Sequence, residues 1–259
     1  MHQDRRIYKC VVKRNALIAE DVYEMAFETA EINSFIPGQF INVYLEDKSM
    51  LLPRPISISE VSYGRVTLIY KAVGKGTRRL SEYAVNEPIT VSPPLGNGYR
   101  LLGDYSGGRI ALVAGGMGIP PMAGLAMELQ GRNARADVYL GFRSGVFLLD
   151  KFIKTVQNVF ISTDDGSEGF HGNIVEMLKS SGWIYDEYFS CGPKAMLKAL
   201  SEYAGETGRG VQASVEERMG CGYGACVGCS CKISEGGGIV NKSVCKHGPV
   251  FAGKDVVWD

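Results

Sequence analysis

Four cysteines near the C-terminus, Cys221, Cys226, Cys229 and Cys245, follow a C-x4-C-x2-C pattern completed by one later cysteine. That spacing suits thiolate ligation of a plant-type [2Fe-2S] cluster, a carrier of single electrons. The loop holding three of them reads Gly220-Cys221-Gly222-Tyr223-Gly224-Ala225-Cys226-Val227-Gly228-Cys229. Its small residues let backbone N–H groups approach cluster sulfurs and stabilise their negative charge. Structural zinc is the competing chemistry, but it commonly uses two separated C-x2-C or C-x2-C/H-x3-H pairs. One C-x2-C is clean here, and His2, His171 and His247 supply neither a typical Cys/His zinc set nor the spaced pair of a Rieske centre. Cys231 is a fifth thiol in the segment. If it opens a strand Cys231-Lys232-Ile233, it is a small packed side chain, and Cys245, returning after the Gly236-Gly237-Gly238 turn, is the fourth ligand. His247 is the alternative fourth ligand.

Three further segments carry possible chemistry. The apolar run Ile110 to Ala114 ends in Gly115-Gly116-Met117-Gly118-Ile119-Pro120-Pro121 before an apolar helix. Strand, glycine turn and helix start set backbone N–H groups against phosphate, and proline suits the first helical turn. Pro121 replaces the third glycine of G-x-G-x-x-G, so a plain tight turn competes with phosphate binding. A second strand end, Tyr188-Phe189-Ser190-Cys191-Gly192-Pro193, precedes another helix and would line the same crevice. Alone, Cys191 reads as a buried small hydrophobe. Earlier, Pro53-Arg54-Pro55-Ile56-Ser57-Ile58-Ser59 sets a guanidinium, suited to pyrophosphate, beside hydroxyls that reach a heterocycle's polar edge. Ile69-Tyr70-Lys71 leads to Gly74-Lys75-Gly76-Thr77, a second phosphate cradle, against which stands an ordinary loop.

The elements that position these residues fall into three stretches. Up to about residue 100, short β-rich runs (Ile7 to Lys13, Val22 to Glu28, Gln39 to Leu45, Ile56 to Glu60, Val66 to Lys71, Glu87 to Ser92) predict an antiparallel barrel or sandwich, with a short helix from Thr77 to Tyr83. From about 108 strands alternate with helices: Arg109 to Ala114, Pro121 to Gln130, Ala136 to Phe142, Asn158 to Thr163, Asn173 to Ser180, Tyr185 to Cys191 and Lys194 to Ala204. That rhythm predicts an open, mainly parallel α/β sheet. The expected units are residues 1–101, 102–209 and 210–259: an α+β multidomain chain of antiparallel barrel, Rossmann-like α/β domain and small cluster module. At 259 residues, two domains and an appended module are the natural division.

Twenty-eight basic residues balance 28 acidic ones, which leaves no electrostatic footprint for nucleic acid or an anionic membrane. No apolar run has membrane-helix length, no signal-type core follows Met1 to Arg6, and the seven cysteines, five in the last forty residues, fit reduced cytosolic thiols better than a disulfide framework. The expected location is the cytoplasm.

Taken together, Arg-Pro-Ile-Ser, Gly-Lys-Gly-Thr, Gly-Gly-Met-Gly-Ile-Pro-Pro and Cys-Gly-Pro resemble the ferredoxin-NADP reductase superfamily over almost the whole chain. The short-interval cysteine pattern, preceded by Glu217-Arg218-Met219, is similar to the electron-transfer subunits of bacterial class 1B dihydroorotate dehydrogenases. The resemblance implies that Arg54, Pro55, Ile56, Ser57, Ile69, Tyr70, Lys71, Gly76 and Thr77 hold FAD, with Arg54 at the phosphates and Ser57 near the flavin N5. It implies that Gly115, Gly116, Gly118, Cys191, Gly192 and Pro193 frame NAD, the substrate, and that Ser57 and Cys191 are the catalytic residues. Ile56 replaces the superfamily's usual aromatic, so Tyr70 is the expected cover for that flavin face. Arg143-Ser144 leaves NAD against NADP open. The implied partner is an FMN-containing dihydroorotate dehydrogenase catalytic subunit, in a heterotetramer with two of each chain. The rival is the flavin subunit of a related complex: NADH-dependent ferredoxin:NADP oxidoreductase, sulfide dehydrogenase or hydrogenase. The ferredoxin:NADP type tends to place aspartate where Cys221 stands. A non-catalytic, zinc-stapled adaptor is the third reading.

Overall fold

The computed structural model describes residues 6–258 apart from 48, 104 and 106. Residues 1–5, on which most of the reading of the N-terminal segment falls, lie outside the described residues. Six strands close an antiparallel barrel in the order β1-β2-β5-β4-β3-β6. They are β1 (Tyr8–Ala19), β2 (Val22–Glu28), β3 (Phe40–Tyr44), β4 (Arg54–Ser62), β5 (Arg65–Lys71) and β6 (Pro88–Val91), with helix α1 (Lys75–Ser81) before β6. Period-two alternation turns Met25, Phe27, Ile41, Val43, Ile58, Val66 and Leu68 inward to fill it. The β4–β5 hairpin turns through Tyr63 and Gly64 at φ 50° and 71°, the paired positive dihedrals that match the twist of the flanking strands.

The second sheet runs β10-β9-β8-β7-β11-β12-β15. Its strands are β7 (Arg109–Gly115), β8 (Arg135–Phe142), β9 (Asn158–Thr163), β10 (Phe170–His171), β11 (Glu187–Cys191), β12 (Gly210–Ser214) and β15 (Val250–Ala252), with α2 (Ile119–Gly131), α3 (Leu149–Ile153), α4 (Ile174–Ser180) and α5 (Lys194–Glu206) between them. All neighbours are parallel except β12 with β15. The chain leaves β7 for β8 and β9 on one side and returns to β11 on the other. Such a reversal opens a crevice at the carboxyl ends of the two central strands.

The sheet runs past residue 210, the expected start of the cluster module, because β12 and β15 both join it. The remaining C-terminal elements are the hairpin β13 (Ser230–Glu235) and β14 (Gly238–Ser243), then the turn of helix α6 (Val244–His247). Gly236 and Gly237, at φ 62° and 82°, make the hairpin turn. No helix among the described residues is long and apolar enough to cross a membrane.

Helix α2 is the seam between barrel and sheet. Nine of its thirteen residues are buried, since β4 covers one side and the sheet the other. Gly124 permits the approach: a Cβ there would lie 2.7 Å from the Ser59 carbonyl and 2.8 Å from the Phe35 ring. Ser59 Oγ donates to the Pro120 carbonyl (3.0 Å) and Lys151 Nζ to Glu60 Oε2 (2.8 Å).

Candidate functional site

Each of the four expected ligand sulfurs receives a backbone N–H. Cys226 N–H reaches Cys221 Sγ (3.4 Å), Gly228 N–H reaches Cys226 Sγ (3.5 Å), Cys245 N–H reaches Cys229 Sγ (3.4 Å) and Gly224 N–H reaches Cys245 Sγ (3.1 Å). Donors aimed at sulfur stabilise thiolates and the negative charge of a cluster. The thiol of Cys221 feels it: burial opposes ionisation, yet the N–H groups of Cys226, Tyr223 and Ala225 bring it down to about 7. Burial and the adjoining Cys229 sulfur push Cys245 up to about 12, a preference that a bound metal would override.

The loop is shaped for this. Gly222 and Gly224 take φ 77° and 85°, and Val227, at φ 50°, holds a β-branched residue in a region such residues avoid. The hairpin carries Cys245 back to the loop, where Val244 N–H donates to the Cys229 carbonyl (2.8 Å). Cys231 pairs with Lys242 inside the hairpin and is buried in a small core with Phe40, Leu95 and Ile233. His247 is exposed, and its carbonyl accepts from Asn97 Nδ2 (3.0 Å). Among the described residues no three His, Cys, Asp or Glu side chains close on a single-ion position. The fit to a cluster rests on the four N–H···S contacts.

The expected flavin residues gather at one end of the barrel. Arg54 lies directly over Gly76, where any Cβ would overlap its guanidinium, and donates to the Leu52 carbonyl. Thr77 Oγ1 accepts from Val73 and Gly74 N–H (3.1 and 3.2 Å) and so fixes the turn that opens α1. A fixed cation beside a glycine turn suits a diphosphate. Pro55 and Ser57 are half-buried on the outer face of β4, whereas Ile56 points into the barrel core. The expectation that Tyr70 covers a flavin face is corrected here. Its ring is 3% exposed, stacks on Tyr23 at 5.9 Å and donates its hydroxyl to Asn15 Oδ1 (3.0 Å). A tyrosine at this register belongs to the barrel's inner face, as do Val66 and Leu68.

The two glycine turns of the sheet meet at the switch point. Cys191 pairs with Ala114 at the ends of β11 and β7. A Cβ on Gly118 would overlap the Cys191 carbonyl, and one on Gly192 would lie 3.0 Å from Gly115 N. Gly116 takes φ 53° between them. Pro193 caps α5, and a Cβ on Gly115 would lie 3.0 Å from it. Burial pushes the Cys191 thiol up to about 12 against the pull of Ser214, so it stays protonated at neutral pH. Tyr99 donates to the Ser190 carbonyl (2.9 Å) behind this turn. Arg143 and Ser144 are exposed beyond β8.

The profile of the iron-sulfur cluster binding domain of dihydroorotate dehydrogenase B matches residues 216–257. The electron transfer subunit of dihydroorotate dehydrogenase B (NAD(+)) from Geobacillus thermodenitrificans is 38% identical, covering 96% of this chain and 98% of its own. The corresponding subunit from Desulforamulus reducens is 38% identical over 98% of this chain and 99% of its own. The chain belongs to the family of dihydroorotate dehydrogenase B electron transfer subunits. Membership joins the cluster module to the barrel and sheet as one electron-transfer chain. A solved NADH-dependent reduced ferredoxin-NADP oxidoreductase, described for flavin-based electron bifurcation, superposes with TM-score 0.85 at 28% identity, covering 96% of this chain and 90% of that one. A ferredoxin NADP+ reductase from Neisseria gonorrhoeae shares the fold at TM-score 0.65 and 14% identity, over 83% of this chain and 96% of that one.

Asn42 and Phe40 on β3 escaped the sequence reading. Phe40 packs into the core around Cys229 and Cys245, and Asn42 Nδ2 donates to the Cys221 carbonyl (2.9 Å) across 179 residues of chain. Neither belongs to a motif, and only the closed barrel brings them to the cluster loop.

Proposed function

We propose that this chain carries electrons from an FMN-containing catalytic subunit, which oxidises dihydroorotate, to NAD+, in a heterotetramer with two of each chain. The observation that supports it most directly is the set of four backbone N–H groups aimed at Cys221, Cys226, Cys229 and Cys245. When bound, the [2Fe-2S] group supplies one-electron transfer, FAD couples it to two-electron chemistry, and NAD+ accepts a hydride.

The chain's own residues divide the work. Arg54 and the Gly74–Thr77 turn bind the FAD diphosphate, while Pro55, Ser57 and the backbone of Ile56 and of Ile69–Lys71 orient the ring, with the Ser57 hydroxyl offered to its polar edge. Gly115, Gly116, Gly118, Gly192 and Pro193 hold the pyridine nucleotide at the switch point. Cys191 meets it as a neutral thiol that neither attacks nor gives up a proton at physiological pH. The Ser59–Pro120 contact fixes one binding strand against the other site. Cys226 and Val227 are exposed, so the ligand loop offers an edge by which a partner can approach. We place the flavin part in residues 1–101, the nucleotide part from 102 with β12 and β15 completing its sheet, and the cluster module around 216–257.

Iron, sulfide, flavin and activity measurements on the purified chain test this reading. It predicts about two irons and one FAD per chain, NADH oxidation with artificial acceptors, and dihydroorotate oxidation only after the catalytic subunit is added. Zinc without flavin would overturn it. The likeness to the NADH-dependent ferredoxin-NADP oxidoreductase favours a second reading, a subunit of a complex of that type. Co-purification with a large flavoprotein instead of a dihydroorotate dehydrogenase chain would select it.

A further inference from the structure

Strand β3 touches both cofactor regions. Its pairing with β4 sets Phe40 opposite Ser57 and Asn42 opposite Pro55, and residues paired across an antiparallel ladder share a face. Ile41 and Val43 point into the barrel, so Phe40 and Asn42 lie on the outer face with Pro55 and Ser57. That face carries the cluster loop. Phe40 packs in the core that holds Cys229 and Cys245, and the Asn42 carboxamide lies under Cys221 and Gly222. A Cβ on Gly222 would lie 2.5 Å from Asn42 Nδ2 and Oδ1.

Asn42 is fully buried, and asparagine is a poor choice for a central strand on propensity alone. Its backbone is locked on Ser92, whose Oγ accepts the Asn42 N–H (2.9 Å) and whose N–H donates to the Asn42 carbonyl (2.9 Å). Its Nδ2 donates to the Cys221 carbonyl (2.9 Å), while Oδ1 is buried with no partner among the described residues. A buried, unpaired amide oxygen is unfavourable. An apolar side chain of the same shape would avoid it, so the carboxamide is explained by what its nitrogen holds.

We propose that Asn42 is a positioning residue that fixes the Cys221–Gly222 peptide against the flavin-binding strand and so sets both the spacing and the energetic match between cluster and flavin. This rests on the ligand set given above. Cys221 Sγ takes its N–H from Cys226, five residues on, so freeing the Cys221 backbone loosens that contact. Fewer donors to a ligand sulfur make the reduced cluster less favourable, and electrons then shift toward the flavin.

The variant Asn42→Leu in the complete chain tests the proposal, because it removes the donor and the unpaired oxygen at near-constant shape. Iron and flavin content, melting temperature, the EPR line shape of the reduced cluster and the flavin–cluster electron partition in an anaerobic titration are compared with wild type. The expected result is a melting temperature equal to or above wild type, an altered line shape and a partition moved toward flavin about tenfold, or about 59 mV for one electron. Loss of iron with flavin retained also supports the role. Unchanged line shape and partition would overturn it. Should Asn42→Leu not fold, the smaller Asn42→Ser, which cannot reach the Cys221 carbonyl, carries the same test. Wild-type protein without iron would instead refute the ligand set.

Discussion

Cys231 and Cys245 are both buried thiols of one small core that also holds Cys229, but they sit in different elements. Cys245 Sγ accepts the Gly224 N–H inside the ligand loop. Cys231 sits within β13 and packs with Ile233 and Val244, and desolvation ahead of nearby Glu217 pushes its thiol up to about 11. Cys245→Ser is therefore expected to abolish iron retention. Cys231→Ser keeps the iron and the cluster's visible bands, at a modest stability cost of about 1 kcal/mol for a buried polar swap. Iron retained in Cys245→Ser and lost in Cys231→Ser would reverse the assignment. The hairpin was legible in the sequence, because the Gly236-Gly237-Gly238 turn predicts it. Asn42 was not legible: a lone asparagine in an apolar strand has no periodicity to announce it, and its role exists only in contact with Cys221.

At the scale of elements, α2 does two things, packing the glycine turn under one crevice and joining the sheet to β4. Its apolar sequence after Gly118-Ile119-Pro120-Pro121 marked it as a buried helix, and β7, β9 and α5 began where apolar runs and breakers place them. Strands β12 and β15 were missed for a physical reason. Gly210–Ser214 carries only Val211 and Ala213 as an inward pair, and Val250–Ala252 is three residues long, so neither has enough period to register outside the sheet that recruits it. Tyr70 was misread because a motif position does not state which way a side chain faces, whereas barrel closure fixes it inward. The seam yields a prediction. In Gly124→Ala the new Cβ meets the Ser59 backbone carbonyl at 2.7 Å, which cannot swing aside, so barrel and helix must separate. Denaturant melts should show a loss of about 1–3 kcal/mol, the usual range for overpacking, and stopped-flow traces a slower flavin bleaching by NADH, with iron content unchanged. Wild-type stability and bleaching rate would mean that the seam is compliant.

Across the whole molecule, burial dominates the titration of the interior. Tyr99, Tyr139, Tyr185 and Tyr188 are all raised chiefly by desolvation, and Cys191 is pushed up to about 12 by the same cause. Groups raised in the folded state favour folding fully below their unfolded values, and that contribution fades as pH climbs toward their folded ones. Stability is therefore expected to hold near neutrality, decline above about pH 8.5 as the unfolded thiol ionises, and fall faster above about pH 10 as unfolded tyrosines follow. Urea midpoints at pH 7.5, 9 and 10.5 check this, and a midpoint that rises across the series would contradict it.

On the proposed site assignments, the same whole-molecule geometry gives a route for charge: the turn at Cys191, strand β4, paired strand β3 and the cysteine loop are successive neighbours. Anaerobic titration of the purified chain with NADH, followed by visible absorption and low-temperature EPR, tests that succession most directly. The account predicts that flavin bands bleach and that a [2Fe-2S] signal grows in the same sample without any partner present, or grows when a low-potential donor completes the reduction. Flavin bleaching with no iron signal under either reductant would contradict it.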